Sequence, residues 1–126
     1  MCGIVGILNS QSLKSEAIEI LKKLEYRGYD SAGISLFSEQ KIKTIKSVGK
    51  ISNLEKKSKN IKDKSFSGVI GHTRWATHGV VSRNNAHPFA NENLTLVCNG
   101  IIENYSQIQN RYKEIPKNIK SDTEVR

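Results

Sequence analysis

The sequence predicts an α+β fold on three observations. Short apolar runs of strand type stand at the start of the chain and again in its middle. Amphipathic helical stretches lie between them. There is no internal repeat and no low-complexity linker. Residues 3–8 (Gly-Ile-Val-Gly-Ile-Leu) read as a strand of the buried type. A turn follows at 9–12. Ser15 is placed to cap a helix running to Leu24, with Ala17, Ile20, Leu21 and Leu24 at i, i+3, i+4 and i+7. Residues 26–33 hold two glycines and read as a loop. Residues 34–37 and 42–45 form a candidate hairpin around a turn at 38–40. Residues 50–60 suit a short polar helix capped by Ser52. Residues 68–73 are another strand, and 94–98 a last one that runs into Asn99-Gly100. Between those two, residues 75–88 hold Gly, Asn and Pro with little periodicity, the pattern of a long functional loop. Residues 101–112 lean helical.

A chain of 126 residues holds one domain at most. Its apolar content of 37% excludes collagen, a coiled coil and a strongly charged disordered tail. No apolar run approaches the ~18 residues of a membrane span. The N-terminus, Met1-Cys2-Gly3-Ile4-Val5, has no positively charged leader segment before its apolar residues. Two cysteines, Cys2 and Cys98, are too few for a disulfide framework or a zinc site. These features lead to the expectation of a cytoplasmic protein with no metal and no cofactor. The net charge of +8 invites a nucleic-acid partner, but its distribution argues otherwise. Nine lysines fall between Lys41 and Lys64 against Glu55 and Asp63, without the interleaved Arg and aromatic residues of a stacking platform. That stretch reads as a solvated face, with neither nucleic acid nor membrane as a partner.

Four places carry residues suited to chemistry, and each has a plainer reading beside it. Removal of Met1 would leave Cys2 as the N-terminal residue. Its thiolate is then a nucleophile and its own α-amine a base of reference pKa about 7.7–8.0. The plainer reading is a small apolar residue opening a strand. Arg74 ends a strand in Gly71-His72-Thr73-Arg74-Trp75-Ala76-Thr77-His78-Gly79. Its guanidinium offers a carboxylate a bidentate fork, or merely pairs with a surface acid. Asn99-Gly100 supplies a side-chain NH₂ and an approachable backbone N–H, as an oxyanion site needs, or is an ordinary Asn-Gly turn. Asp122, in Ser-Asp-Thr-Glu, holds a substrate ammonium or caps a helix.

Six segments in order carry a resemblance that extends from residue 2 to residue 125. They are Cys2-Gly3-Ile4-Val5-Gly6, Leu24-Glu25-Tyr26-Arg27-Gly28-Tyr29-Asp30-Ser31-Ala32-Gly33, the Gly71 to Gly79 segment above, Asn85-Ala86-His87-Pro88, Asn99-Gly100-Ile101-Ile102-Glu103-Asn104-Tyr105 and Asp122-Thr123-Glu124-Val125. Together they resemble the glutaminase domain of the isomerising glutamine–fructose-6-phosphate aminotransferases, class II amidotransferases of the N-terminal-nucleophile hydrolase type. The resemblance implies a four-layer αββα sandwich. It also implies roles. Cys2 would attack the side-chain amide of L-glutamine and form a thioester, while Asn99 and Gly100 bind the oxyanion. Arg74 would bind the α-carboxylate and Asp122 the α-ammonium. Trp75, Thr77 and His78 would lie in the loop that closes over glutamine, and Arg27 in a segment lining the site. The enzyme alternative is the glutaminase domain of another class II amidotransferase, and the non-enzyme alternative is an inactive truncated remnant acting as a binding module.

The departures from that family are Cys98 where a His usually precedes Asn-Gly, Phe89 where a second His often follows His87-Pro88, and Val80-Val81-Ser82 where a Pro is common. The resemblance further implies that residues 1–126 are the N-terminal portion of a domain about twice as long. Fructose 6-phosphate would then bind only in sugar-isomerase domains outside this chain. The longer enzyme is expected to be a homo-oligomer, and this portion alone to be inactive.

Overall fold

The computed structural model describes residues 1–76 and 79–112. Its centre is a four-stranded antiparallel sheet in the order β1-β4-β2-β3, where β1 is Gly3–Leu8, β2 is Ser31–Phe37, β3 is Ile42–Val48 and β4 is Gly68–Arg74. Helices α1 (Leu13–Leu24) and α2 (Ile51–Ser58) cover one face. On the other face lie the 79–88 loop and a two-stranded ribbon, β5 (Phe89–Ala90) and β6 (Thr95–Leu96). Helix α3 (Tyr105–Arg111) follows.

Strand alternation creates the two faces. In register, Val5 lies across from Gly71 and Gly71 from Ile34, while Ile7 and Leu36 flank Val69. This row meets Leu13, Ala17, Ile18 and Leu21 of α1 and Ile51 and Leu54 of α2 in one apolar core. Each fully buried Leu, Ile or Val side chain among them contributes about 1.5–3 kcal/mol by leaving water. Gly71 lets α1 approach: a Cβ there would lie 2.8 Å from Val5 Cγ1 and 3.0 Å from Leu21 Cδ1.

The helix predicted from Ser15 begins two residues earlier. Leu13 is fully buried, so the core draws it into the first turn. Ile18 is inside and Ile20 is 37% exposed, which shifts the buried stripe from the predicted one. Ser52 does not cap α2. The Glu25 carboxylate, from far along the chain, accepts the Ile51 N–H at 3.2 Å instead. Strand β1 is apolar on both sides, yet Ile4 and Leu8 are exposed. The last strand shrinks to Thr95–Leu96, and residues 97–99 leave the ladder toward the N-terminus of the chain.

Candidate active site

The antiparallel pairing of β1 with β4 sets the site. Gly3 lies opposite Thr73, so the residue before β1 and the residues after β4 end at one place. Thr73 Oγ1 accepts the Gly3 N–H at 2.9 Å and fixes the start of β1. Beside it, the Trp75 backbone N–H donates to Cys2 Sγ at 3.4 Å. The Cys2 N–H donates to Asn99 Oδ1 at 3.1 Å. Residues 97 positions apart in sequence thus meet, and the Asn99 NH₂ group remains as a donor on the same side chain.

Arg74 is buried, on the sheet face opposite the helices, at the end of β4. Its backbone is held by the segment 27–30. The Asp30 N–H donates to the Arg74 carbonyl at 3.3 Å. Gly28 passes so close that a Cβ there would lie 2.6 Å from the Arg74 carbonyl carbon, which admits no side chain. The Asp30 carboxylate accepts the Ala76 N–H and the Ser31 hydroxyl, and so anchors the first residues of the loop after β4. Tyr29 packs edge-on against Trp75, with ring centroids 5.5 Å apart. The same residues line a cavity of about 210 Å³ with Val81. Arg27 directs Nη2 to Met1 Sδ at 3.7 Å, which places its guanidinium at the chain's N-terminus.

A second group holds the arm that carries Asn99. His72, on β4, donates from Nε2 to the Cys98 carbonyl at 2.9 Å. His87 accepts the Cys98 N–H on Nδ1 at 3.2 Å. The two imidazoles stack at 4.2 Å with 22° between their planes. Burial pushes His72 down to about 4, against the bond to the Cys98 carbonyl and with help from the nearby Arg74 charge. Burial pushes His87 down to about 3, and the positive charges of Arg74 and Lys46, with His72 wherever that ring is itself protonated, add to it. Both rings are therefore neutral at pH 7. Gly33 gives the 86–88 segment its seat, since a Cβ there would collide with the His87 carbonyl oxygen. Asn85 braces the loop, donating from Nδ2 to the Val80 carbonyl at 2.9 Å.

Of the residues singled out from sequence, Cys2, Trp75 and Asn99 meet directly. Arg74 stands beside them at the end of β4, and Arg27 lies at the same end of the chain. Gly100 follows Asn99 on the exposed end of the arm, with Cys98 Sγ 3.9 Å from its carbonyl. Thr77, His78 and Asp122 lie outside the described residues. Thr73, Asp30, Gly28, His72 and His87 stood inside the quoted motifs without a role. Their only signal in the sequence was membership of those motifs, because the partners they hold are distant in the chain. Among the described residues, no group of three or more His, Cys, Asp or Glu is arranged to hold a metal ion.

No family model matches the chain. Among solved structures, it is similar to the allosteric regulatory enzyme of purine biosynthesis, with a TM-score of 0.81 and 26% identity over 99% of this chain and 28% of that one. It is also similar to the glutamine phosphoribosylpyrophosphate amidotransferase from B. subtilis, with a TM-score of 0.63 and 26% identity over 98% and 27% of the two chains. Fold and site together define a glutamine amidotransferase domain of the N-terminal-nucleophile type, α+β in class.

Curated relatives narrow this further. The glutamine–fructose-6-phosphate aminotransferase (isomerizing) of Helicobacter pylori is 51% identical over 109 residues, 86% of this chain and 18% of the relative. That of Shouchella clausii is 48% identical over 129 residues, and that of Bradyrhizobium diazoefficiens 45% over 130; each match takes in 99% of this chain and 21% of the relative. The chain belongs to the glutamine–fructose-6-phosphate aminotransferase family and matches the glutamine amidotransferase part of it. It spans about a fifth of the length of these relatives.

Proposed function

We propose that this chain carries the nucleophile and oxyanion site of a glutaminase that releases ammonia from L-glutamine for transfer to fructose 6-phosphate. The observation that supports it best is the meeting of the Cys2 backbone nitrogen with the Asn99 side-chain oxygen at 3.1 Å. Once Met1 is removed, that nitrogen is the free α-amine of Cys2. The amine takes the thiol proton, and Sγ attacks the amide carbon of glutamine. The carbonyl π electrons move to oxygen. The Asn99 NH₂ and the Gly100 N–H donate to that oxyanion, which has its greatest charge in the tetrahedral state. As the C–N bond breaks, the α-ammonium returns its proton to the leaving nitrogen, and ammonia departs. Water then attacks the thioester, with the α-amine again taking a proton. Glutamate leaves and the thiol is restored.

Arg74 supplies the fork for the α-carboxylate of glutamine and Asp122 the charge for its α-ammonium, so a free amino acid is selected over a peptide. Trp75, Thr77 and His78 belong to the segment that closes over the bound amino acid and excludes water from the thioester. Arg27 faces this space once Met1 and its sulfur are gone. In this reading residues 1–126 form the N-terminal portion of the glutaminase domain. Fructose 6-phosphate binds elsewhere in a longer cytoplasmic, homo-oligomeric enzyme. No helix among the described residues is long and apolar enough to cross a membrane.

The test is Cys2→Ala in the full-length protein. Glutamate release from glutamine is expected to fall below detection, while ammonia-independent isomerisation of the sugar phosphate persists. Mass analysis should find Cys2 at the N-terminus. A retained Met1 in an active enzyme would overturn the α-amine as the base.

A further inference from the structure

We infer that the stacked pair His72 and His87 is a positioning device for the oxyanion arm, setting Asn99 through the two backbone groups of the residue before it. The inference rests on the glutaminase reading above and extends it to residues that touch no substrate.

The geometry is specific. Cys98 carries one backbone donor and one backbone acceptor, and each is taken by a ring nitrogen of a different histidine. Its N–H belongs to the 97–98 peptide and its carbonyl to the 98–99 peptide, so holding both fixes the two peptide planes that flank the Cys98 Cα and leaves little freedom to rotate about its φ and ψ. The next side chain, Asn99, then leaves the arm in a fixed direction, the one in which it meets Cys2. The arm needs such a clamp, because β6 ends at Leu96 and the ladder gives residues 97–100 no support. A misplacement of about 1 Å in a catalytic group is enough to cost on the order of 10²-fold in rate.

The clamp also fixes the tautomers. A carbonyl only accepts, so His72 carries its proton on Nε2. An amide only donates, so His87 is unprotonated on Nδ1. His72 Nδ1 is buried with no hydrogen-bond partner among the described residues, so it stays bare in the neutral ring. The His87 bond therefore requires a neutral ring, since a proton on Nδ1 would remove the acceptor. Burial, with the charges of Arg74 at both rings and Lys46 at His87, keeps both rings neutral at pH 7 and outweighs Asp30, which favours protonation of His72. Each histidine is itself held: His72 by its place on β4, His87 by its seat over Gly33 and by the edge of Phe89 at 4.9 Å.

The experiment uses the full-length protein with glutamine and fructose 6-phosphate, and compares wild type, Cys2→Ala, His87→Phe, His87→Asn and His87→Gln. Phe keeps a stacked ring without an acceptor. Asn places its Oδ1 where Nδ1 stood, and Gln reaches past it. His87→Phe is expected to lower kcat for glutamate release on the order of 10- to 100-fold, with the glutamine KM changed less than about 3-fold. His87→Asn is expected to keep most of the rate, and His87→Gln to lose it. Placed on Asn99→Ala, His87→Phe should lower kcat by less than about 3-fold more, because the arm it positions no longer carries the group.

An unchanged kcat in His87→Phe would overturn the inference. So would a further 10-fold loss on the Asn99→Ala background, or a rise in KM with kcat intact. If His87→Phe fails to accumulate, the Asn and Gln variants decide, and equal rates in those two overturn it. Absence of Cys2-dependent glutamate release in wild type would overturn the glutaminase reading and this inference with it. Cys2-dependent release with insensitive His87 variants would overturn the inference alone.

Discussion

The two faces of the central sheet are built by different physics. Toward the helices, β1, β2 and β4 present Val5, Ile34, Leu36 and Val69 to Leu13, Ala17, Leu21 and Leu54, all buried and all apolar. Toward the loop, β2 and β4 present Ser31, Ser35, His72 and Arg74, also buried, on the face where Asn85 and His87 lie. The first face needs only volume and pattern, and tolerates exchange among similar side chains. The second is held by directed hydrogen bonds, each of which fails if one partner is misplaced. The apolar core is concentrated on one side of a sheet a single layer thick, and the residues of the proposed chemistry on the other. A strand such as β4 serves both, with Val69 on the first face and His72 and Arg74 on the second.

This contrast can be broken from either side. The largest expected effect is on the helix side. Leu21→Ala, at a fully buried position, should destabilise the protein by about 2–5 kcal/mol. Thermal melting of the full-length protein should show the loss, while the glutamine KM of the folded fraction at 25 °C stays within about 2-fold. A large change in KM with little change in melting would erase the distinction between the faces.

Next is the loop side. Arg74→Lys keeps the charge and loses the fork, and should weaken glutamine binding by about 1–3 kcal/mol. Steady-state kinetics should show KM rising on the order of 5- to 150-fold, with a smaller melting shift than that of Leu21→Ala. An unchanged KM would remove Arg74 from the binding site.

A third test sharpens the comparison through pH. His72 and His87 are held down to about 4 and about 3, against about 6.5 in an unfolded chain. Between pH 6.5 and those values the unfolded state binds more protons than the folded one. Stability is thus full above pH 6.5 and is lost as pH falls. The slope is about 1.4 kcal/mol per pH unit for each histidine. Melting temperatures from pH 7 to pH 4 should fall less steeply in His87→Asn than in wild type. Parallel curves would show that His87 is not held neutral by the fold.

How far the sequence went follows the same division. The helix-side face was legible because alternation in strands and the 3.6-residue period in helices are local signals. β1, the β2–β3 hairpin, α2 and β4 stand close to where those signals put them. Even there the start of α1 was missed, since Leu13 joins the helix for the sake of a core partner distant in the chain. The candidate site was legible only as motifs. Cys2, Arg74 and Asn99 could be named because their segments resemble a family, but that Asn99 lies against Cys2 is written nowhere in the chain's local pattern.

By itself, then, the sequence determined the fold class, most of the strands, the long loop after β4, and the residue types on which the proposed chemistry depends. Tertiary structure alone decided that Asn99 reaches Cys2, that Glu25 caps α2, that Asp30 ties down the loop after Arg74, and that two histidines hold the backbone of Cys98 on both sides of its Cα. The reason is physical. Secondary structure is set by neighbours within a few residues, whose periodicity is written along the chain. A hydrogen bond between groups tens of residues apart exists only when strand register and loop path bring its atoms within about 3 Å, and no local pattern encodes that distance.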